Sequence, residues 1–333
     1  MKILITGSAG FIGYHTSVEF LKQRNNLVVG VDNVNSYYDI KLKKKRLKKL
    51  QQFKNFKFIK LNLKNFSNLE KIFKIYRFDI VVNLAAQAGV RHSIKNAKDY
   101  LDSNLIGFFN IIELSKKYKI KKFMFASTSS VYGDTDKHPF KESLAANHPI
   151  QFYAATKKSN EIIAHSYSSM FNMQCIGMRF FTVYGPWGRP DMVLFKFVKN
   201  ILKNKPIELY NNGKHERDFT YVEDVACIIY KLSQIKLYKT SKQNFNDSSS
   251  SKSRFEIFNI SSGKKVKLKR FLSIIEKKLN KKAKIKLLPL QRGDVVKSLS
   301  SRKKLSKFIN LKKAVKVEEG VKNFINWYTE NYR

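Results

Sequence analysis

Three glycines, Gly7, Gly10 and Gly13, follow at once on the short apolar run Lys2–Thr6, and a helical pattern runs on from residue 14 to 23. Strand, tight turn and helix is the arrangement this spacing predicts. One glycine permits the turn, a second lets backbone N–H groups approach a pyrophosphate, and the third allows the helix to pack closely. The next apolar run, 27–31, ends at Asp32, which stands 19 residues beyond Gly13. A carboxylate there accepts hydrogen bonds from a ribose diol and repels a 2′-phosphate, so turn and carboxylate together favour NAD over NADP as a bound cofactor. The plainer alternative is a bare strand-to-helix turn with Asp32 capping the loop that follows.

The alternation continues along the chain. Apolar runs at 56–61, 78–84, 122–126 and 174–180 are separated by helical stretches at 38–52, 69–76, 97–118 and 153–171. Continuous apolar strands joined by helical crossovers imply an α/β fold, a doubly wound parallel sheet of Rossmann type covered on both faces. Past residue 181 the rhythm breaks in the Gly/Pro-rich stretch 184–190. Residues 1–180 are therefore expected to form the dinucleotide-binding domain, and 181–333 a smaller C-terminal substrate-binding domain with some segments returning to the first. Segment 238–254 is polar and Ser-rich, an expected exposed loop, while 270–279 and 315–328 read as amphipathic helices.

Charge raises a rival. With 65 Lys plus Arg against 25 Asp plus Glu in 333 residues, the net charge is +40, the usual footprint of a nucleic-acid binder. Only twelve of the cations are Arg, however, and they are spread along the chain, whereas phosphate forks and base readout favour arginine. Lys43, Lys44, Lys45, Lys48 and Lys49, interleaved with Leu42, Leu47 and Leu50, read as the wet face of a helix. No nucleic-acid partner is expected, although the charge can draw in an anionic substrate. Apolar runs fall short of the ~20 residues of a membrane span, and the opening MKILITG lacks a signal peptide's layout. Neither a membrane span nor export is expected, and the location expected is the cytoplasm. Cys175 and Cys227 read as buried structural thiols, and His92, His165 and His215 lack ligand spacing, so no metal is expected.

Tyr153 and Lys157 stand one helical turn apart on one face. A phenol with a pKa near 10 is a poor base at neutral pH, but an adjacent ammonium and a positive nicotinamide ring both favour phenolate. Ser127, Thr128, Ser129 and Ser130, at the end of the 122–126 run, offer hydroxyls to a reacting oxygen.

These features lie in a set of longer stretches: TGSAGFIG from Thr6, VDNVNSYYDIKLKKKRL from Val31, NLAAQAGVRHS from Asn83, YLDSNLIG from Tyr100, FASTSSVYG from Phe125, YAATKKSNE from Tyr153, RFFTVYGPWGRPDM from Arg179 and RDFTYVEDV from Arg217. Together they span nearly the whole chain. They resemble the extended short-chain dehydrogenase/reductases, and most closely the nucleotide-sugar 4-epimerases that act on UDP-glucuronate. The resemblance implies Tyr153 as base, Lys157 on the nicotinamide ribose, and Thr128 with Ser129 on the sugar 4-oxygen. It implies a cofactor held by Gly7, Ala9, Gly10, Phe11, Ile12, Gly13, Asp32, Asn33, Asn62, Leu63, Leu84, Ala85, Ala86 and Asn104, and a UDP-sugar held by Gln87, Arg91, Thr182, Arg189, Arg217 and Arg292. Thr182 is assigned to the uronate end. The implied reaction is C4 epimerisation through a 4-keto sugar, serving surface polysaccharide.

Ser129 and Ser130 occupy the place where related dehydratases and decarboxylases carry a carboxylate, which argues against both. Asn62, Gln151, Arg292 and the pair Ser300 and Ser301 depart from the usual pattern. UDP-glucose and UDP-N-acetylglucosamine stay open as alternative substrates. An inactive dinucleotide-fold binding protein is the reading of a different class. Helices 97–118 and 153–171 carry apolar residues on more than one face, Phe108, Phe109, Ile111 and Ile112 among them, and the spare face suggests a homodimer.

Overall fold

The computed structural model describes residues 1–240, 244, 247–291 and 293–332. Its first half alternates strand and helix: β1 (Lys2–Thr6), α1 (Phe11–Leu21), β2 (Leu27–Asp32), α2 (Ile40–Leu50), β3 (Phe56–Lys60), α3 (Phe66–Tyr76), β4 (Ile80–Asn83), then short α4 (His92–Lys95) and α5 (Ala97–Tyr100). A π-helical turn, Leu101–Ile106, leads into α6 (Gly107–Lys117), β5 (Lys122–Thr128), α7 (Phe152–Phe171) and β6 (Gln174–Phe180). Asn65 caps α3 by accepting from the Asn68 N–H at 3.0 Å, and α3 and α7 both end at residues in the left-handed region, Arg77 and Asn172. The expected helix 97–118 is thus broken into three pieces.

Residues beyond 181 add β7 (Thr182–Tyr184), α8 (Val193–Leu202), β8 (Ile207–Tyr210), β9 (Glu216–Tyr221), α9 (Val222–Gln234), β10 (Phe255–Ile260), β11 (Lys265–Lys267), α10 (Leu268–Leu279), β12 (Ile285–Leu288), α11 (Lys303–Phe308) and α12 (Val317–Tyr332). Described residues of 238–254 form neither helix nor strand. The central sheet has seven strands in the order β10-β6-β5-β4-β1-β2-β3, all parallel. Strand β10 comes from the far half of the chain and pairs Phe255 to Cys175 through Ile260 to Phe180.

Side chains alternate across this sheet. Ile3 and Ile5 join α1 and α9 on one face, and Leu4, Val29 and Phe123 join α3, α6 and α7 on the other. Phe108, Ile111 and Ile112 are fully buried in that second layer, so of the four residues read as a spare face only Phe109 remains exposed. A third core, around α8, α10 and α12, backs the small sheets β11-β9-β7 and β12-β8, with Phe219 stacked on Phe271 at 3.9 Å between centroids. Cys175 is buried and Cys227 half-buried, both as free thiols. No helix is long and apolar enough to cross a membrane among the described residues.

Candidate active site

Strand order reverses between β1 and β4, and a crevice at the carboxyl ends of such strands is where doubly wound sheets take nucleotides. A cavity of about 440 Å³ opens there. Gly7, with φ +72°, donates its N–H to the Val31 carbonyl at 2.7 Å and turns the chain into α1. A Cβ on Gly7 would meet the Ala85 nitrogen at 2.8 Å, and one on Gly13 would meet the Gly7 carbonyl oxygen at 2.0 Å. The turn therefore tolerates glycine alone at these two points. Gly10 precedes α1 without a side-chain cap, and no acidic residue occupies the first turn. That leaves the first N–H groups of the helix for an anion.

Asp32 closes β2 beside this turn. Its Oδ2 accepts from the Ala9 N–H at 3.2 Å and its Oδ1 from the Val34 N–H at 2.7 Å. Burial raises its pKa, and those two N–H groups with Lys43 and Arg46 only partly offset the rise. The glycine cradle, the uncapped helix start and the carboxylate fit a dinucleotide such as NAD: Gly10 to Gly13 for its pyrophosphate and Asp32 for a ribose.

Tyr153 lies in the first turn of α7, and Lys157 follows one turn later, donating to the Ala126 carbonyl at 2.9 Å. Thr128 ends β5 beneath them. Burial raises the Tyr153 pKa, and the Arg189 guanidinium and the Thr128 hydroxyl pull it part of the way back. Sequence spacing pointed to Lys157 as the cation that acts on the phenol. In the folded chain the Arg189 guanidinium also acts on the phenol, and burial lowers Lys157 to about 8.

Gly7, Gly10, Phe11, Ile12, Gly13, Asp32, Asn33, Asn62, Leu63, Leu84, Ala85, Ala86, Gln87, Thr128, Ser129, Tyr153, Lys157, Thr182 and Arg189 all line the cavity. Ala9, Arg91, Asn104 and Arg217 stand off that lining, and Arg292 lies outside the described residues. Asn104 works from behind: its Oδ1 accepts from the Gln87 N–H at 2.8 Å, and its Nδ2 donates to the Gln87 carbonyl at 3.1 Å and to Thr156 at 3.0 Å. Arg91 pairs with Asp294 at 3.1 Å and lies over the Tyr210 ring at 4.6 Å. Arg217 donates to the Val296 carbonyl at 2.9 Å, and burial, opposed by Asp294 and helped by Arg91, lowers it to about 10. These two arginines form a second cationic group beside the cavity. Arg189 is held by a fork on Asp191, at 3.0 and 2.6 Å.

Sequence reasoning gave no role to Glu161, which follows Tyr153 and Lys157 at the same helical spacing. Glu161 accepts from Ser127 Oγ at 2.6 Å and takes both ends of the Arg179 guanidinium at 2.8 Å. Three consecutive residues of β5, Ala126, Ser127 and Thr128, are thus set against Lys157, Glu161 and Tyr153 of one helix face. Helical period alone was the signal that pointed there. Asn35, Tyr37 and Lys43 on the lining had no comparable signal.

The sequence pattern of the NAD-dependent epimerase/dehydratase family matches residues 3–246. Protein CapI of Staphylococcus aureus is 45% identical over 100% of both chains. A probable UDP-glucuronate 4-epimerase of Rhizobium meliloti is 41% identical, covering 100% of this chain and 98% of its own. Among solved structures, the UDP-glucuronic acid 4-epimerase from Bacillus cereus, in complex with UDP-glucuronic acid and NAD, matches with a TM-score of 0.89 at 30% identity over 100% of both chains. With a parallel sheet that follows the same course and a sequence alike from end to end, the chain belongs to the NAD-dependent epimerase/dehydratase family.

Proposed function

We propose that this NAD-dependent nucleotide-sugar 4-epimerase interconverts UDP-glucuronate and UDP-galacturonate, with Tyr153 as the acid/base. The observation that carries the reading is the joining of the Tyr153 phenol, the Thr128 hydroxyl and the glycine turn in one cavity. Relatives named for UDP-glucuronate support the choice of sugar.

The Tyr153 oxygen takes the proton of the sugar 4-hydroxyl and later returns one to the same oxygen. Thr128 and Ser129 hold that oxygen during both transfers. Lys157 keeps the nicotinamide ribose in line, and NAD, when bound, supplies the hydride acceptor that makes a 4-keto sugar reachable and reversible. The carbonyl must present its opposite face before the return step, so the sugar turns while its diphosphate stays fixed. Arg189 and Arg217 suit that anchoring, since guanidinium forks match phosphate oxygens. Thr182 faces the uronate end. Neither Ser129 nor Ser130 carries a carboxyl group to drive elimination of water.

Separate incubation with UDP-glucuronate, UDP-glucose and UDP-N-acetylglucosamine, with the C4 epimers resolved, tests the substrate. Turnover of a neutral sugar at a kcat/KM above that of the uronate overturns the choice. We also infer that two copies pair through Ile106 and Phe109 of the α6 side and Ile162 and Met170 of α7, all exposed. Light scattering giving one chain per particle at micromolar concentration removes that pairing.

A further inference from the structure

We propose that Arg46 is a positioning residue that clasps the cofactor turn to the loop bearing Arg189, so that nucleotide bound on one side steadies the other. The inference rests on the reading above, in which NAD and a UDP-sugar occupy the two sides.

Arg46 lies in α2, within the lysine-rich stretch read as a solvated face, yet its side chain is 0% exposed. One terminal nitrogen donates to the Ala9 carbonyl at 2.8 Å and to the Tyr38 hydroxyl at 2.7 Å, and the other donates to the Trp187 carbonyl at 2.5 Å. None of these three acceptors is an anion, and among the described residues Nε has no partner. Asp32 acts on the guanidinium through space, but no carboxylate hydrogen-bonds it, and a buried cation held only by neutral acceptors is costly. A lysine at this position carries the same charge but lacks the planar fork that spans two separate carbonyls.

What the fork spans is informative. Ala9 is the middle of the glycine turn, and its N–H donates to Asp32. Trp187 stands two residues before Arg189 and adopts φ +61°, a left-handed conformation that a bulky residue holds only when its surroundings fix it. Around it, His15 Nε2 donates to the Pro186 carbonyl at 2.9 Å, the Gly188 N–H donates to the Gly185 carbonyl at 3.1 Å, and the Trp187 ring packs on Tyr14 and Trp327. Tyr14 and His15 tie this loop to the body of α1, and Arg46 ties it to the Ala9 carbonyl within the turn itself. Arg189, just beyond, lines the same cavity as Tyr153 and partly offsets the rise that burial gives the phenol. Loosening Arg46 therefore acts on both walls at once. For an epimerase the consequence is direct, because the same cofactor has to remain through both hydride transfers.

If the clasp joins the two sites, UDP and the cofactor each bind more tightly in the other's presence, and we expect that gain to show as slower release of the cofactor. The test is the exchange of bound NAD on the holoenzyme against isotopically labelled NAD, with and without saturating UDP, followed by mass spectrometry. In the parent, UDP is expected to slow exchange by about tenfold or more. In Arg46→Lys, exchange without UDP speeds up and the slowing by UDP shrinks to about threefold or less. Tyr38→Phe, which removes one of the three acceptors and keeps both carbonyl contacts, gives an intermediate ratio. Retention of the parent's ratio in Arg46→Lys overturns the clasp, as does a parent in which UDP binds without slowing exchange. Should Arg46→Lys fail to fold, an unchanged ratio in Tyr38→Phe overturns it instead. A parent that retains no NAD or binds no UDP overturns the functional reading itself, a result visible before any variant is made.

Discussion

On one wall of the cavity the groups are placed by backbone. Gly7, Asp32, Ala85 and Thr128 lie at or just beyond the ends of β1, β2, β4 and β5, whose parallel register is fixed strand by strand. On the opposite side Arg189 of the lining and, set back from it, Arg91 and Arg217 are held by individual partners, Asp191, Asp294 and the Val296 carbonyl. A wall built from a seven-stranded sheet moves little, since shifting one residue shifts the ladder with it. A wall held by ion pairs and single hydrogen bonds is fixed contact by contact, so losing one partner frees one group. The difference teaches that losses on the first wall strike chemistry or folding, and losses on the second strike binding.

Tyr153→Phe tests the first wall at its largest expected effect. Removing the acid/base lowers kcat by about 10²- to 10⁴-fold, with NAD still bound on purification. Activity within a factor of two of the parent breaks the mechanism.

Glu161→Ala strikes the support behind that wall. It leaves the Arg179 guanidinium buried and unpaired, at a cost of about 3–5 kcal/mol measured by denaturant unfolding. The pair also sets an acid limit. Burial pushes the Glu161 carboxyl up, but the Arg179 guanidinium and its hydrogen bonds, Lys158 and Ser127 outweigh that, and the net pKa is lowered. A lowered carboxyl contributes stability that is present above its unfolded value and lost as pH falls through the folded one. Thermal melts of the parent are expected to soften on acidification below about pH 4.5, with a shallower decline in Glu161→Gln. Equal slopes in the two proteins show that the pair plays no part in acid sensitivity.

On the second wall, Arg217→Ala is expected to raise KM for the UDP-sugar by about 10- to 100-fold, the worth of a lost charged hydrogen bond, while kcat falls by far less. A drop in kcat at constant KM erases the contrast between the walls. The smallest effect serves as the baseline: Lys22→Ala breaks an exposed pair with Glu19 and changes stability by about 0–1 kcal/mol.

Much of the first wall was legible because its signals are local. The glycine turn, Asp32 and the pairing of Tyr153 with Lys157 each lie within a few residues or one periodic element, and β1 to β6 announce themselves as continuous apolar runs. A return of some later segment to the first domain was expected, but nothing singled out β10: its residues 255–260 carry no mark of the partner they pair with, β6, some eighty residues earlier. The π-helical turn at Leu101–Ile106 was equally hidden inside a helical pattern. It sets Asn104 against the Gln87 backbone and Ser103 on the cavity lining, and such local widening of a helix recurs at functional sites.

Arg46 gives the sharpest case. Among so many neighbouring lysines it looks like one more solvated cation, and only the packing of α2 beneath the glycine turn draws it wholly out of water. Local spacing set Lys157 beside Tyr153, and packing adds Arg189, thirty-six positions away, to the same cavity. By itself the sequence determined which residue types stand at the turn, the strand ends and the first turns of the helices, because short-range backbone geometry dictates those. Only the tertiary structure decided which charges are desolvated and which carbonyls they span. Solvent exclusion and long-range pairing belong to the packed whole and leave no periodic trace along the chain.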